Sequence, residues 1–120
     1  MAGPPDPPLG AGLLEPGALA VALDYDAAWT PAAMAECERF FCDDTPAVLA
    51  AKAAGARLAG IPAAIAGDLG ELAAGRVAGR RDARERLFCL NLGMALEDVV
   101  TGALALERAR GLGIGRELPL

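Results

Sequence analysis

The sequence contains no histidine and no serine, and these absences exclude several kinds of active site. Without imidazole the chain lacks the commonest metal ligand and the usual base near neutral pH, and without serine it lacks a common hydrolase nucleophile. Its three cysteines, Cys37, Cys42 and Cys89, include no C-x-x-C pair, so neither a zinc site nor a disulfide framework is indicated. Any catalysis therefore depends on carboxylates, and no metal is expected.

Long apolar runs and signal features are lacking as well. No run approaches the roughly 20 residues that cross a bilayer, and the start of the chain has neither the basic segment nor the apolar run of a signal peptide. The net charge is −5, and the arginines between residues 76 and 86 have no aromatic residues among them, which predicts a solvated loop rather than a nucleic-acid surface. We therefore expect a cytoplasmic protein without membrane or nucleic-acid partners.

The 120 residues, 54% of them hydrophobic, suffice for one small domain. Residues 1–17 are rich in proline and glycine, which predicts a poorly packed leader. The run at 18–23 is apolar without alternation, as in a strand covered on both faces. Thr30-Pro31 and Thr45-Pro46 each combine a capping hydroxyl with proline at the first helical position, which indicates two helix starts.

The order of these elements predicts an α/β fold with a parallel sheet. Asp68 and Glu71 have the spacing of a capping box, and apolar residues recur at helical spacing after residue 94, in a helix that Gly111 and Gly113 should stop. The predicted elements are strand 18–23, helix 31–38, strand 39–42, helix 46–54, helix 69–74, loop 75–86, strand 87–90 and an amphipathic helix 94–110.

Polar residues follow three of the predicted strands, where parallel sheets bind ligands. Asp24 and Asp26 are two residues apart, so in extended backbone they share a face, and their repulsion would raise one pKa toward neutrality; alternatively, both are solvated turn residues. Asp43 and Asp44 precede Thr45-Pro46, which favours helix capping over catalysis. Asn91 could bind a ligand or close its turn.

Several ordered segments resemble the carboxyl-terminal part of the ornithine cyclodeaminase and mu-crystallin family, and together they cover nearly the whole chain. They are Pro16-Gly17-Ala18, Asp43-Asp44, Asp68-Leu69-Gly70-Glu71-Leu72 with Gly75-Arg76, Leu92-Gly93-Met94-Ala95-Leu96-Glu97-Asp98, Glu107-Arg108-Ala109 and Gly113-Ile114-Gly115. The resemblance implies that residues 18–120 are the carboxyl-terminal half of a Rossmann-like, doubly wound NAD-binding domain.

The resemblance also implies an activity and a set of site residues. Members bind NAD or NADP and process amino or imino acids. By position, Asp24 is the catalytic aspartate, Ala22, Leu23 and Asn91 contact the cofactor, and Leu92 contacts the substrate. The helix at 94–110 would return to the dimerisation and substrate domain, which implies a homodimer or a partner chain.

The chain also departs from the family's pattern, which suggests a divergent branch. Its first strand ends in Ala22-Leu23 instead of glycine-rich sequence, and no basic residue lies between Asp24 and Arg39. It contains no G-x-G-x-x-G between a strand and a helix, nor the family's substrate domain. We therefore expect it to be inactive alone. Alternatives are a non-catalytic accessory subunit that pairs with another chain, or a small hydrolase using Asp24 and Asp26.

Overall fold

The computed structural model describes residues 6–24, 27–55 and 58–119 and contains a four-stranded, all-parallel sheet. The spatial order is β1-β4-β2-β3, so the last strand of the sequence lies between the first two. This arrangement confirms the predicted α/β class. The strands are β1 (Leu19–Ala22), β2 (Arg39–Cys42), β3 (Gly67–Asp68) and β4 (Leu87–Leu90).

Within the described ranges four helices accompany the sheet, close to the positions that the sequence predicts. They are α1 (Pro31–Ala35), α2 (Thr45–Ala53), α3 (Leu69–Ala73) and α4 (Ala95–Leu112). The prediction for α1 was three residues too long. Its continuation is prevented because the chain already joins the sheet at Glu38, whose N–H donates to the carbonyl oxygen of Arg86 at 3.0 Å.

The helix ends follow local capping chemistry, with two corrections. Thr30 caps α1 as predicted, its hydroxyl oxygen lying 3.2 Å from the nitrogen of Ala33. At α2, however, the cap is Asp44 and not Thr45, because the Asp44 carboxylate accepts from the N–H of Ala47 at 2.7 Å. Gly111 does not stop α4 either: the helix runs to Leu112 and ends at Gly113, whose φ of +65° suits glycine.

The third strand was missed from the sequence. It has only two residues, Gly67 and Asp68, and so carries no apolar run. Glycine is favoured there because its φ is +151°, which other residues rarely adopt, and because a Cβ would lie 2.8 Å from a methyl carbon of Val77. Asp68 and Glu71 form the predicted capping box at the start of α3.

The sheet is covered unequally on its two faces. One face packs against the buried Met34 of α1 and Val48 of α2, around Phe88, whose ring stacks on Phe40 with centroids 5.4 Å apart. The other face is covered by α3, where Leu72 packs against a smaller cluster around Phe41.

The proline-rich leader and the arginine-rich loop are both held against other parts of the chain. Leu9 forms a parallel bridge with Trp29, which ties down part of the segment 6–17. The loop 75–86 is held by Arg39, whose guanidinium donates to carbonyl oxygens of Ala78 and Gly79. Over the described ranges, no helix is both long enough and apolar enough to span a bilayer.

Candidate functional site

The ends of three adjacent strands bring most of the sequence-predicted site residues to one edge. Ala22 of β1 is the register partner of Leu90 of β4. Beyond that pair, the N–H of Asn91 donates to the carbonyl oxygen of Ala22 at 2.9 Å, and the N–H of Asp43 donates to that of Leu90 at 3.1 Å. The segments that begin at Ala22, Asp43 and Asn91 are therefore joined at the carboxyl edge of the sheet.

Asp24 closes the turn that follows β1. Its Oδ2 accepts from the N–H groups of Ala27 and Ala28, both at 3.0 Å. Among the described residues its other oxygen, Oδ1, accepts no hydrogen bond, so this atom is the one that can exchange a proton with a ligand. Asp26, its proposed partner in a carboxylate pair, and Tyr25 lie outside the described residues.

Removing the Asp24 carboxylate should destabilise the protein moderately. We expect Asp24→Ala to lower the free energy of unfolding by about 1–3 kcal/mol, because two backbone N–H groups lose their acceptor. Asp24→Asn keeps a carbonyl oxygen in place, so its free energy of unfolding should fall by less. Urea unfolding followed by circular dichroism measures both, and equal losses for the two variants would contradict this assignment of Oδ2.

Ala22, Leu23 and Leu92 occupy different environments at this edge. Ala22 is buried in the core, whereas Leu23 is 81% exposed and is the side chain most available to a ligand. Leu92 is half-buried and packs against the larger core cluster. A contact of Leu92 with a substrate would therefore use only part of its side chain.

Asp43 has a role that sequence reasoning missed. It is only 3% exposed, and its two oxygens accept from the N–H groups of Asp44 at 2.9 Å and Gly93 at 2.7 Å. Gly93 lies in the turn after β4 with a φ of +90°. Asp44 performs the capping expected of the pair, while Asp43 fixes the turn that follows Asn91. The only indication of this role in the sequence is that Asp43 follows directly after a predicted strand.

Asn91 is held by the cysteine two residues before it. The Cys89 thiol lies 3.1 Å from Oδ1 of Asn91. Burial, with smaller effects from the nearby Cys42 and Asp43, raises the pKa of Cys89 to about 11. The thiol is therefore protonated at neutral pH and donates to the carboxamide oxygen.

The raised thiol pKa predicts a loss of stability in alkali. A thiol whose pKa is higher in the folded than in the unfolded protein stabilises the folded state. This contribution is complete below the unfolded pKa, near 9.0, and is lost as pH rises toward the folded pKa of about 11. We therefore expect the urea midpoint to fall between these pH values. Cys89→Ser should reduce the fall, because the hydroxyl does not titrate there; an unchanged fall would contradict the role of Cys89.

The described part of the chain contains no cluster of three or more His, Cys, Asp or Glu side chains suited to a metal ion. The groups that the site can offer a ligand are the Asp24 carboxylate, the Asn91 carboxamide and the backbone groups at the three strand ends, since the Asp43 carboxylate is buried against backbone N–H groups. Such a set can transfer a proton and can donate hydrogen bonds to a polar ligand.

Comparison with known proteins supports this class of fold. No family model matches the chain, and no curated protein matches its sequence. Among solved structures it is similar to CmnK, with a TM-score of 0.72 and 25% identity over 93% of this chain and 35% of that one. It is also similar to the Delta(1)-pyrroline-2-carboxylate reductase of Thermococcus litoralis in complex with NADH and L-proline, with a TM-score of 0.69 and 22% identity over 93% of this chain.

The chain spans only about a third of either similar structure, 35% of CmnK and 37% of the reductase. The fold is thus a partial, Rossmann-like parallel α/β domain, of a kind that occurs in a reductase resolved with a nicotinamide dinucleotide. At these identities the likeness supports the family resemblance at the level of fold.

Proposed function

We propose that this chain is the carboxyl-terminal part of an NAD(P)-dependent oxidoreductase that acts on amino or imino acids. One observation carries the proposal: in a fold shared with an NADH-bound imino-acid reductase, the strand register joins Ala22 to Asn91 at the carboxyl edge, where parallel sheets bind nucleotides. Leu23 and Asn91 would contact the dinucleotide with their side chains and Leu92 the substrate, while the buried Ala22 would contribute only through the strand end that it forms with Asn91. The specific family, ornithine cyclodeaminase-like, is part of this proposal.

A bound dinucleotide would supply hydride transfer to or from the amino or imino acid. Asp24 would transfer a proton to or from the substrate nitrogen or water through Oδ1, while Oδ2 holds the turn. The phosphates of the dinucleotide require a glycine-rich turn at a helix start, which this sequence does not contain. The proposal therefore assigns phosphate binding and substrate clamping to other polypeptide.

The proposal is tested by NADH titration of the ¹⁵N-labelled chain, together with assays of cyclic-imine reduction. We expect weak binding that first shifts the resonances of Ala22, Leu23 and Asn91, and no turnover. The exposed variant Asp82→Asn, in the loop 75–86, is the control and should bind as the wild type does. Shifts confined to other regions would refute the site, and micromolar affinity with turnover would refute the need for further polypeptide.

A second candidate function is a non-catalytic subunit that pairs with another chain, and the exposed surface favours it. The accessible area is 8035 Å², whereas a compact monomer of this mass exposes about 6,000 Å². None of the 18 residues of α4 is buried. Leu19 and Val21 of the edge strand β1 are 58% and 48% exposed, on the sheet face that α3 covers elsewhere.

Light scattering coupled to size exclusion separates the two candidates. A defined monomer or complex would favour an independent subunit, because its apolar surfaces would then be managed without further polypeptide. Non-specific aggregation would favour a part of a larger enzyme. Val21→Lys at the open edge should reduce aggregation, since a charge opposes strand pairing there, whereas Leu49→Lys on α2 should not.

A further inference from the structure

Asn91 is held by hydrogen bonds both at its backbone and at its side-chain carboxamide. Its N–H donates to the carbonyl oxygen of Ala22 at 2.9 Å, and the turn two residues later is held by Asp43 through the N–H of Gly93. Only the side-chain torsions then remain free, and the thiol of Cys89 engages Oδ1 at 3.1 Å. The orientation of the carboxamide therefore depends on Cys89.

This orientation decides which half of the carboxamide can meet a ligand. Oδ1 and Nδ2 point in different directions from the same carbon of the carboxamide. The hydrogen bond from Cys89 to Oδ1 therefore directs Nδ2 away from Cys89. In the described part of the chain Nδ2 donates to no acceptor, and no buried side-chain nitrogen or oxygen there lacks a partner. Nδ2 is consequently open to solvent, as the half-buried state of Asn91 allows.

We propose that Cys89 is a positioning residue that holds Asn91 as a hydrogen-bond donor toward an oxygen acceptor of the dinucleotide. The inference rests on the proposed function, because it takes Asn91 as a cofactor contact. The protonated thiol serves here because its S–H donates to Oδ1, which favours the carboxamide orientation that directs Nδ2 away from Cys89. A residue without a donor at position 89 would let the carboxamide rotate and offer its oxygen as well.

Cys89→Ala and Cys89→Ser test the role of the thiol in two ways. Without ligand, ¹⁵N relaxation of the Asn91 side chain should show a rigid carboxamide in the wild type and in Cys89→Ser, which keeps a donor, and a mobile one in Cys89→Ala. With NADH, Cys89→Ala should bind about 2- to 10-fold more weakly than the wild type, as expected for one hydrogen bond. Cys89→Ser should bind within about 2-fold of the wild type.

Rescue by serine separates positioning from packing, because a loss of packing alone would not be repaired by a smaller polar group. If Cys89→Ala does not fold, as thermal melts would show, Cys89→Val fills the space without a donor and replaces it. Equal NADH affinity and equal Asn91 mobility in the wild type and the donor-free variant would overturn the inference alone. If NADH shifts no Asn91 resonance in the wild type, the cofactor site itself is refuted, and the inference with it.

Discussion

Replacing Leu90 with alanine should lower the free energy of unfolding by about 2–5 kcal/mol. Leu90 is fully buried in β4, between Ala22 of β1 and Cys42 of β2, so truncation leaves a cavity that the surrounding strands cannot collapse to fill. The total free energy of unfolding of a small domain is only about 5–15 kcal/mol. For a protein at the lower end of that range, the variant should show a substantial unfolded fraction at 37 °C.

Leu104→Ala is the matched control, because the same atoms are removed from a side chain of α4 that is 45% exposed. It should change the free energy of unfolding by about 0.5 kcal/mol or less. Urea titrations at 25 °C and pH 7 measure both variants. Similar midpoints for the two would contradict the conclusion that Leu90 belongs to the apolar core and Leu104 does not.

Asp43→Ala should lower the free energy of unfolding by about 3 kcal/mol. The substitution removes a buried carboxylate that accepts hydrogen bonds from two backbone N–H groups, and it leaves both without a partner. The exchange of the Gly93 amide proton with solvent should become faster at the same time, since its 2.7 Å hydrogen bond is lost. Asp43→Asn should lie between the wild type and Asp43→Ala, because its oxygen can keep one of the two bonds. Urea unfolding and amide exchange are the measurements.

The neighbouring Asp44→Ala is the control for Asp43. Asp44 caps α2 through a single N–H of Ala47 and is partly exposed, so its loss should cost about 1 kcal/mol. An Asp43→Ala variant no less stable than Asp44→Ala would contradict the conclusion that Asp43 holds the turn after β4.

The helix starts were predictable because their causes are local. Thr30 and the Asp68-Glu71 capping box each satisfy free N–H groups within three residues, and Thr30 is followed directly by proline. The same logic misassigned the cap of α2, where two residues compete. Thr45 had the hydroxyl, but Asp44 has the extended backbone that a cap requires.

The roles of the site side chains could not be predicted in the same way. Asp43 and Asp44 are chemically identical neighbours, yet one is buried against Gly93, fifty residues away, and the other caps a helix. Cys89 resembled an ordinary buried thiol, and only the contact with Asn91 distinguishes it. Assigning such roles requires the strand order, which places β4 between β1 and β2.

The sequence by itself determined the α/β class, the four helices and three of the four strands, because apolar runs, capping residues and glycines act over a few positions. The tertiary structure alone decided the strand order that makes the ends at Ala22, Asp43 and Asn91 neighbours, that Asp43 supports a turn and that α4 lies exposed. These features depend on register and packing between distant segments. Sequence patterns of short range carry no information on either.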